Sequence, residues 1–209
     1  MLNLQRHESE HHDHGFDHST MGHLLKALVD RIEYGVLACG PEGELYHANL
    51  AGRRELDSAR NLCLAQGRVH CPHGSRDTWS LALRDAAVRM RSSLICLDGA
   101  DERLMIALMP VQTSGIDAPA AVAMMGRRAV CSPLGLEMLS NSHGLTLAER
   151  RVFKGLVDNS TAREIAASHG VAVATIRTQI QAVRDKLGVR SIDALLLRAA
   201  EVPPVMARH

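Results

Sequence analysis

Arg177, Thr178 and Gln181 lie in "VAVATIRTQIQAVRDKLGVRS", residues 171–191, where apolar residues recur at helical spacing. At about 100° per residue, Ile176, Ile180, Val183 and Leu187 collect in one narrow arc that must be buried. Ala174, Thr178, Gln181 and Asp185 lie opposite. Arg177 and Arg184 take one flank, and Thr175, Ala182 and Lys186 the other. Such side chains can read DNA. In the major groove Arg grips guanine and Gln grips adenine through two hydrogen bonds each, and small residues such as Ala174 and Thr178 admit close backbone approach. Flanking Arg, Lys and Thr can hold phosphates. The same periodicity also fits an ordinary solvated helix face in a bundle, and spacing alone does not choose between them.

Two other clusters hold chemically capable residues. "CLAQGRVHCPHG", residues 63–74, brings Cys63, His70, Cys71 and His73 into a short span. His70, Cys71 and His73 are the candidate ligands for zinc, the Cys-Pro pair resembles some haem-regulatory motifs, and histidines beside Cys71 could lower its pKa for redox sensing. The spacing matches no standard zinc pattern, so the expectation is a loop with a buried thiol and no cofactor. His7, His11, His12, His14 and His18 could bind Ni, Zn or Cu, but the segment carries few large apolar groups and reads as a His-rich flexible arm over residues 1–20. There is no phosphate-cradling glycine loop with lysine and no nucleophile elbow, so no enzyme is expected.

The elements that must position the first cluster can be placed from its surroundings. Thr146 with Glu149 forms a capping box for a helix whose apolar side runs through Val152, Phe153 and Leu156. A second helix spans about 161–169 and ends at Gly170, which takes the left-handed conformation without a Cβ clash. The third covers about 173–187 and stops at Gly188. Ser191 caps a fourth, "IDALLLRAAEV", closed by Pro203-Pro204. A short helix, a tight glycine turn and a second amphipathic helix form a helix-turn-helix arrangement.

Upstream the order is helix, two strands, helices, three strands. "HLLKALVDRIEYG" puts Leu24, Leu25, Leu28 and Ile32 on one helical face. Two short strands flank the turn residues 41–44, residues 50–75 read as irregular with helical hints, and "RDTWSLALRDAAVRMR" is amphipathic through Trp79, Leu83, Ala86 and Met90. "SLICLDG", "RLMIALMPV" and "AAVAMMG" are strands. Short hairpin links predict an antiparallel sheet with helices on one face. The expected fold class is therefore α+β, an antiparallel-sheet domain followed by an all-α four-helix helix-turn-helix domain.

Composition agrees with a binder of polyanions joined to a sensor. The 209 residues are 46% hydrophobic with net charge +1. From Leu145 onward ten Lys/Arg face six Asp/Glu, a net of +4, which leaves −3 for the front. Five scattered cysteines read as reduced thiols. No apolar run reaches membrane-spanning length, and the first residues lack the apolar core of a signal peptide, so a soluble cytoplasmic protein is expected.

From Leu145 to Ser191 the chain resembles the LuxR-type helix-turn-helix domain of bacterial transcription regulators. The resemblance rests on Leu145-Thr146, Glu149-Arg150, Val152, Glu164-Ile165-Ala166, Thr175-Ile176-Arg177, Lys186-Leu187-Gly188-Val189 and Ser191. It implies that the third helix enters the major groove of double-stranded DNA, with Arg177, Thr178 and Gln181 as leading base or groove contacts. Thr175, Arg184 and Lys186 become the backbone contacts. In that family the fourth helix commonly mediates dimer contacts, here through Leu195, Leu196 and Leu197. Three departures stand out: Ala172 replaces a usual serine cap, a loss of about 1 kcal/mol; Gln179 replaces a usual histidine; and Asn159 stands where glycine is common.

"GVLACGPEGELYHANLAGRREL", with Asn49 leading into a helix, resembles the start of a PAS domain. That resemblance implies a sheet-and-helix pocket for a small-molecule signal, or a dimerisation module. A receiver domain would need an acidic cluster after its first strand, and an acyl-homoserine-lactone pocket several aromatics, whereas aromatic content is 2%. The domains expected are 1–20 as the arm, 21–130 as the PAS-like sensor, 131–144 as a helical linker and 145–209 as the DNA-binding domain. The whole reads as a homodimeric transcriptional regulator. The alternatives are a metal- or haem-responsive sensor regulator, and a sigma-factor-region-4-like protein that binds RNA polymerase.

Overall fold

The computed structural model describes residues 18–74, 76–99, 103–112, 118–127 and 129–204. His7, His11, His12 and His14 lie outside them. Helix α1 (His18–Val29) is followed by β1 (Val36–Cys39), β2 (Leu45–Ala48), α2 (Leu50–Ser58), β3 (Cys63–Ala65), β4 (Arg68–His70), α3 (Arg76–Ala87), β5 (Ser93–Asp98), β6 (Arg103–Val111) and β7 (Ala120–Met125). Helices α4 (Pro133–Ser142), α5 (Leu147–Val157), α6 (Ala162–His169), α7 (Val173–Leu187) and α8 (Ile192–Ala200) complete the chain.

Five strands form one antiparallel sheet in the order β2-β1-β7-β6-β5, so the β1–β2 hairpin meets the β5–β6–β7 meander along β1 and β7. Period-two alternation sends Leu37, Cys39, Leu97, Leu104, Ile106, Leu108, Ala121, Ala123 and Met125 to one face, where α2 and α3 close a core around Trp79, Leu83 and Ala86. The α+β class is as the sequence predicts. The segment 50–75 departs from its irregular reading: it holds α2 and the β3–β4 hairpin.

Asn49 organises the entrance to this domain. It is fully buried and caps α2, its Oδ1 accepting from Gly52 N at 2.8 Å and Val36 N at 2.9 Å. Its Nδ2 donates to Tyr34 O at 2.8 Å and Val29 O at 3.1 Å. One amide thereby ties the end of α1, the start of β1 and the start of α2 together. The stripe on α1 is not core, however: Leu24, Leu25 and Leu28 are exposed. Met90 also lies beyond α3, exposed and at φ 56°.

A second core joins α4 to α8 through Leu136, Val152, Phe153, Leu156, Ile165, Ile176, Ile180, Val183, Leu187, Leu195 and Ala199. The stretch expected as a linker therefore adds a fifth helix to the tail. Ser132 caps α4, its Oγ accepting from Gly135 N at 3.0 Å, and Cys131 and Leu136 are buried in the tail's core.

Candidate nucleic-acid interface

The tail's helix ends are built by local chemistry. Thr146 Oγ1 accepts from Glu149 N while Glu149 Oε2 accepts from Thr146 N at 2.7 Å, and Thr161 with Glu164 repeats the box at α6. Gly170 (φ 66°) ends α6 and turns the chain into α7. Ala172 occupies the N-cap position of α7 with no side-chain cap bond. Asn159 takes φ 63°, as its tolerance of the left-handed region allows.

Ile176, Ile180, Val183 and Leu187 anchor α7 in the core. Thr175, Arg177, Thr178 and Gln181 are exposed on its other sides. Gln181 Nε2 donates to Asp185 Oδ1 at 2.7 Å, and Thr178 Oγ1 donates back to Ala174 O at 3.1 Å. A guanidinium, a hydroxyl and a carboxamide thus stand on solvent from one rigid helix, with small Ala174 beside them.

The residues read as backbone contacts divide. Thr175 is exposed on the flank. Arg184 is half-buried and folds back, its Nη2 donating to Arg190 O at 2.5 Å. Lys186 is turned to its own domain: Nζ donates to Glu149 Oε2 at 2.6 Å and to Gly144 O at 3.1 Å. The hydrogen bond from Lys186, and next the one from the Thr146 backbone, hold the Glu149 carboxyl below the usual carboxylate range.

Residues not singled out for contact adjoin the same surface. Arg151 of α5, Ser168 and His169 of α6, and Gln179 of α7 line a groove of about 470 Å³ on the Thr175 side of α7. No sequence period links them; only the two interhelical turns bring them together.

On α8 the three leucines part company. Leu195 is fully buried in the tail's own core, which overturns its expectation as a dimer contact, and Leu196 packs partly against that core. Leu197, 63% exposed, faces out. A run of leucines cannot show which member the fold consumes.

The Cys–His cluster takes a structural place. Cys71 is buried, and desolvation, with a smaller push from Cys63 against the pull of Arg76, drives its thiol up to about 12. The buried thiol expected from the sequence is what the fold holds, and burial rules out the alternative in which neighbouring histidines lower its pKa. His70 pairs with Cys63 across the β3–β4 hairpin and His73 is exposed. Among the described residues no three His, Cys, Asp or Glu side chains group closely enough to hold a metal ion, and no helix is long and apolar enough to cross a membrane.

No protein-family model matches the chain, and no curated protein does. Solved structures similar to it include a Vibrio cholera VqmA–ligand–DNA complex (18% identity over 89% of this chain and 91% of that one, TM-score 0.41). Another is the Vibrio cholerae VqmA dimer without target DNA, described with LuxR-type receptors (15%, 87% and 86%, 0.37). A Rhodobacter sphaeroides LOV protein is a third (15%, 90% and 96%, 0.35). Likenesses at this level fix no residue's role.

Proposed function

We infer that this chain is a bacterial, cytoplasmic, DNA-binding transcriptional regulator that acts as a homodimer. Its PAS-like front, about 21–130, receives a small-molecule signal, and the tail from about 131 binds operator DNA with α7 in the major groove. The carrying observation is the split of α7 into a buried aliphatic stripe and an exposed face bearing Arg177, Thr178 and Gln181, following a glycine turn. The net +4 from Leu145 onward adds non-specific attraction to phosphates.

Arg177, Thr178 and Gln181 contact base edges in this reading. Thr175, with Arg151 and His169 across the groove, contacts the backbone. Leu197 and Ile192, both exposed on α8, supply the contact between two tails, which makes the operator a pair of half-sites.

Selection of duplexes from a random pool tests the proposal. An enriched, two-fold-related sequence, bound with affinity that falls steeply as salt rises, is the expected result. A pool that stays random through successive rounds contradicts it.

A further inference from the structure

Helix α1 stands on solvent along most of its length. Every residue from Thr20 to Leu28 is exposed, and the stripe residues Leu24, Leu25 and Leu28 are 42%, 54% and 55% exposed. A helix of 12 residues that buries nothing is marginal in water, because packing of its apolar face supplies most of a short helix's stability. Only its end is held. Asn49 Nδ2 donates to Val29 O at 3.1 Å, and Asp30, just past the helix, accepts from Leu50 N at 2.8 Å and pairs with Arg53 at 3.0 Å. These bonds fix the end of α1 to the start of α2 and leave the stripe uncovered.

The sheet carries a second uncovered surface. Its inner face is closed by α2 and α3, and the alternate residues that point the other way are apolar as well. Leu94, Ala107, Met124 and Val36 stand in register across four strands. Leu94 is 65% exposed, Met105 51% and Met124 37%. On β5, β6 and β7, charge reaches this face only at the tip of the β5–β6 hairpin, where Asp98 pairs with Arg103. An antiparallel sheet with one solvated face alternates apolar and polar side chains; one that is apolar on both faces has the pattern of a sheet covered twice. Small Ala107, between Leu94 and Met124, leaves a trough into which a leucine can seat.

We propose that the two surfaces cover each other between two copies of this chain, α1 of each protomer lying on the outer sheet face of its partner. Each chain carries one stripe and one face, so a two-fold pair satisfies both at once and closes without a third copy. The exposed large apolar side chains of the stripe and the face amount to about 700 Å² per chain, so two reciprocal contacts remove about 1,400 Å², within the range of specific, stable interfaces. The residues before α1 are poor competitors for the face, being rich in histidine with few large apolar groups. The proposal rests on the homodimer reading and adds to it a contact between front halves, separate from the one between tails through Leu197 and Ile192.

Sedimentation of the full chain provides the test. The unaltered protein should be a dimer at micromolar concentration. Leu28→Glu on the helix and Met105→Lys on the sheet change exposed side chains, so both variants should fold, as circular dichroism checks. Each alone should associate about tenfold or more weakly. Mixing the two should restore a dimer. The intact helix of the Met105→Lys chain then meets the intact sheet of the Leu28→Glu chain, and in the other contact the introduced Glu meets the introduced Lys. Helix-on-helix pairing would leave Met105→Lys dimeric, and sheet-on-sheet pairing would leave Leu28→Glu dimeric; either result, or a mixture that stays monomeric, would overturn the proposal. A dimer that Leu197→Glu dissociates while Leu28→Glu and Met105→Lys do not would also overturn it and leave the homodimer reading standing. An unaltered protein that stays monomeric would sink both.

Discussion

Lys186, expected as a phosphate contact, instead ties two helices of its own domain together through Glu149. The ammonium of Lys186 is held by the capping carboxylate of α5, so the C-terminal end of α7 is pinned to the start of α5. Glu149→Ala removes the reciprocal cap bond and leaves Lys186 without its partner; stability of the tail should drop by about 1–2 kcal/mol in urea titration. Since the folded Glu149 pKa is lowered, its contribution is complete above the unfolded value of about 4.3 and is lost as pH falls through the lower folded value. A melting series through that acid range should show the wild type converging on Glu149→Ala. Asn49→Ala should cost the front domain about 3 kcal/mol, because it orphans buried backbone groups from three elements at once. Cys71 should react far more slowly with a thiol-alkylating reagent at pH 8 than the exposed Cys96, a difference peptide mapping would read. The sequence revealed Asn49 by its place before a helix. It also led to a buried thiol at Cys71, but the β3–β4 hairpin that precedes that thiol was missed.

Among the elements, those with caps and long apolar periods were plain from sequence. α7 was expected over about 173–187 and spans Val173–Leu187, since Gly170 and Gly188 mark both ends in a chain with a regular aliphatic stripe. The β3–β4 hairpin was not legible. Its strands have three residues each, too few for alternation to register, and its turn places Gln66 at φ 52° before Gly67 at φ 75°. Asparagine or aspartate before glycine would have announced such a turn; glutamine does not. α1 illustrates a different limit. Its stripe of Leu24, Leu25 and Leu28 was read correctly as a stripe, but periodicity does not say what covers it, and these residues are exposed. Close packing of α5 on α6 depends on Gly155, where an added Cβ would come within 2.7 Å of Ile165 Cγ1. Gly155→Ala should destabilise the tail by about 1–3 kcal/mol through this clash, measurable as a lowered urea midpoint with an unchanged slope.

At the scale of the whole molecule, two cores divide the chain between Met125 and Cys131. Charge asymmetry pointed to a division of labour, and turn chemistry located the tail, but the sequence placed the boundary late. α4 reads as a short Pro-started helix with a weak stripe, and only the tertiary contact of Leu136 assigns it to the tail. A fragment beginning at Cys131 should therefore be more stable than one beginning at Leu145, by about 2 kcal/mol or more for the restored burial of Leu136 alone. Comparison of their thermal melts checks this.

The central claim is that the exposed side of α7 reads base pairs, and mobility shift on the selected operator tests it most directly. Arg177→Ala and Gln181→Ala should each weaken specific binding by about 10- to 100-fold, relax the preference at particular base pairs, and leave weak binding to unrelated duplex nearly unchanged. Two folded variants that keep both the affinity and the sequence preference of the unaltered protein would contradict it.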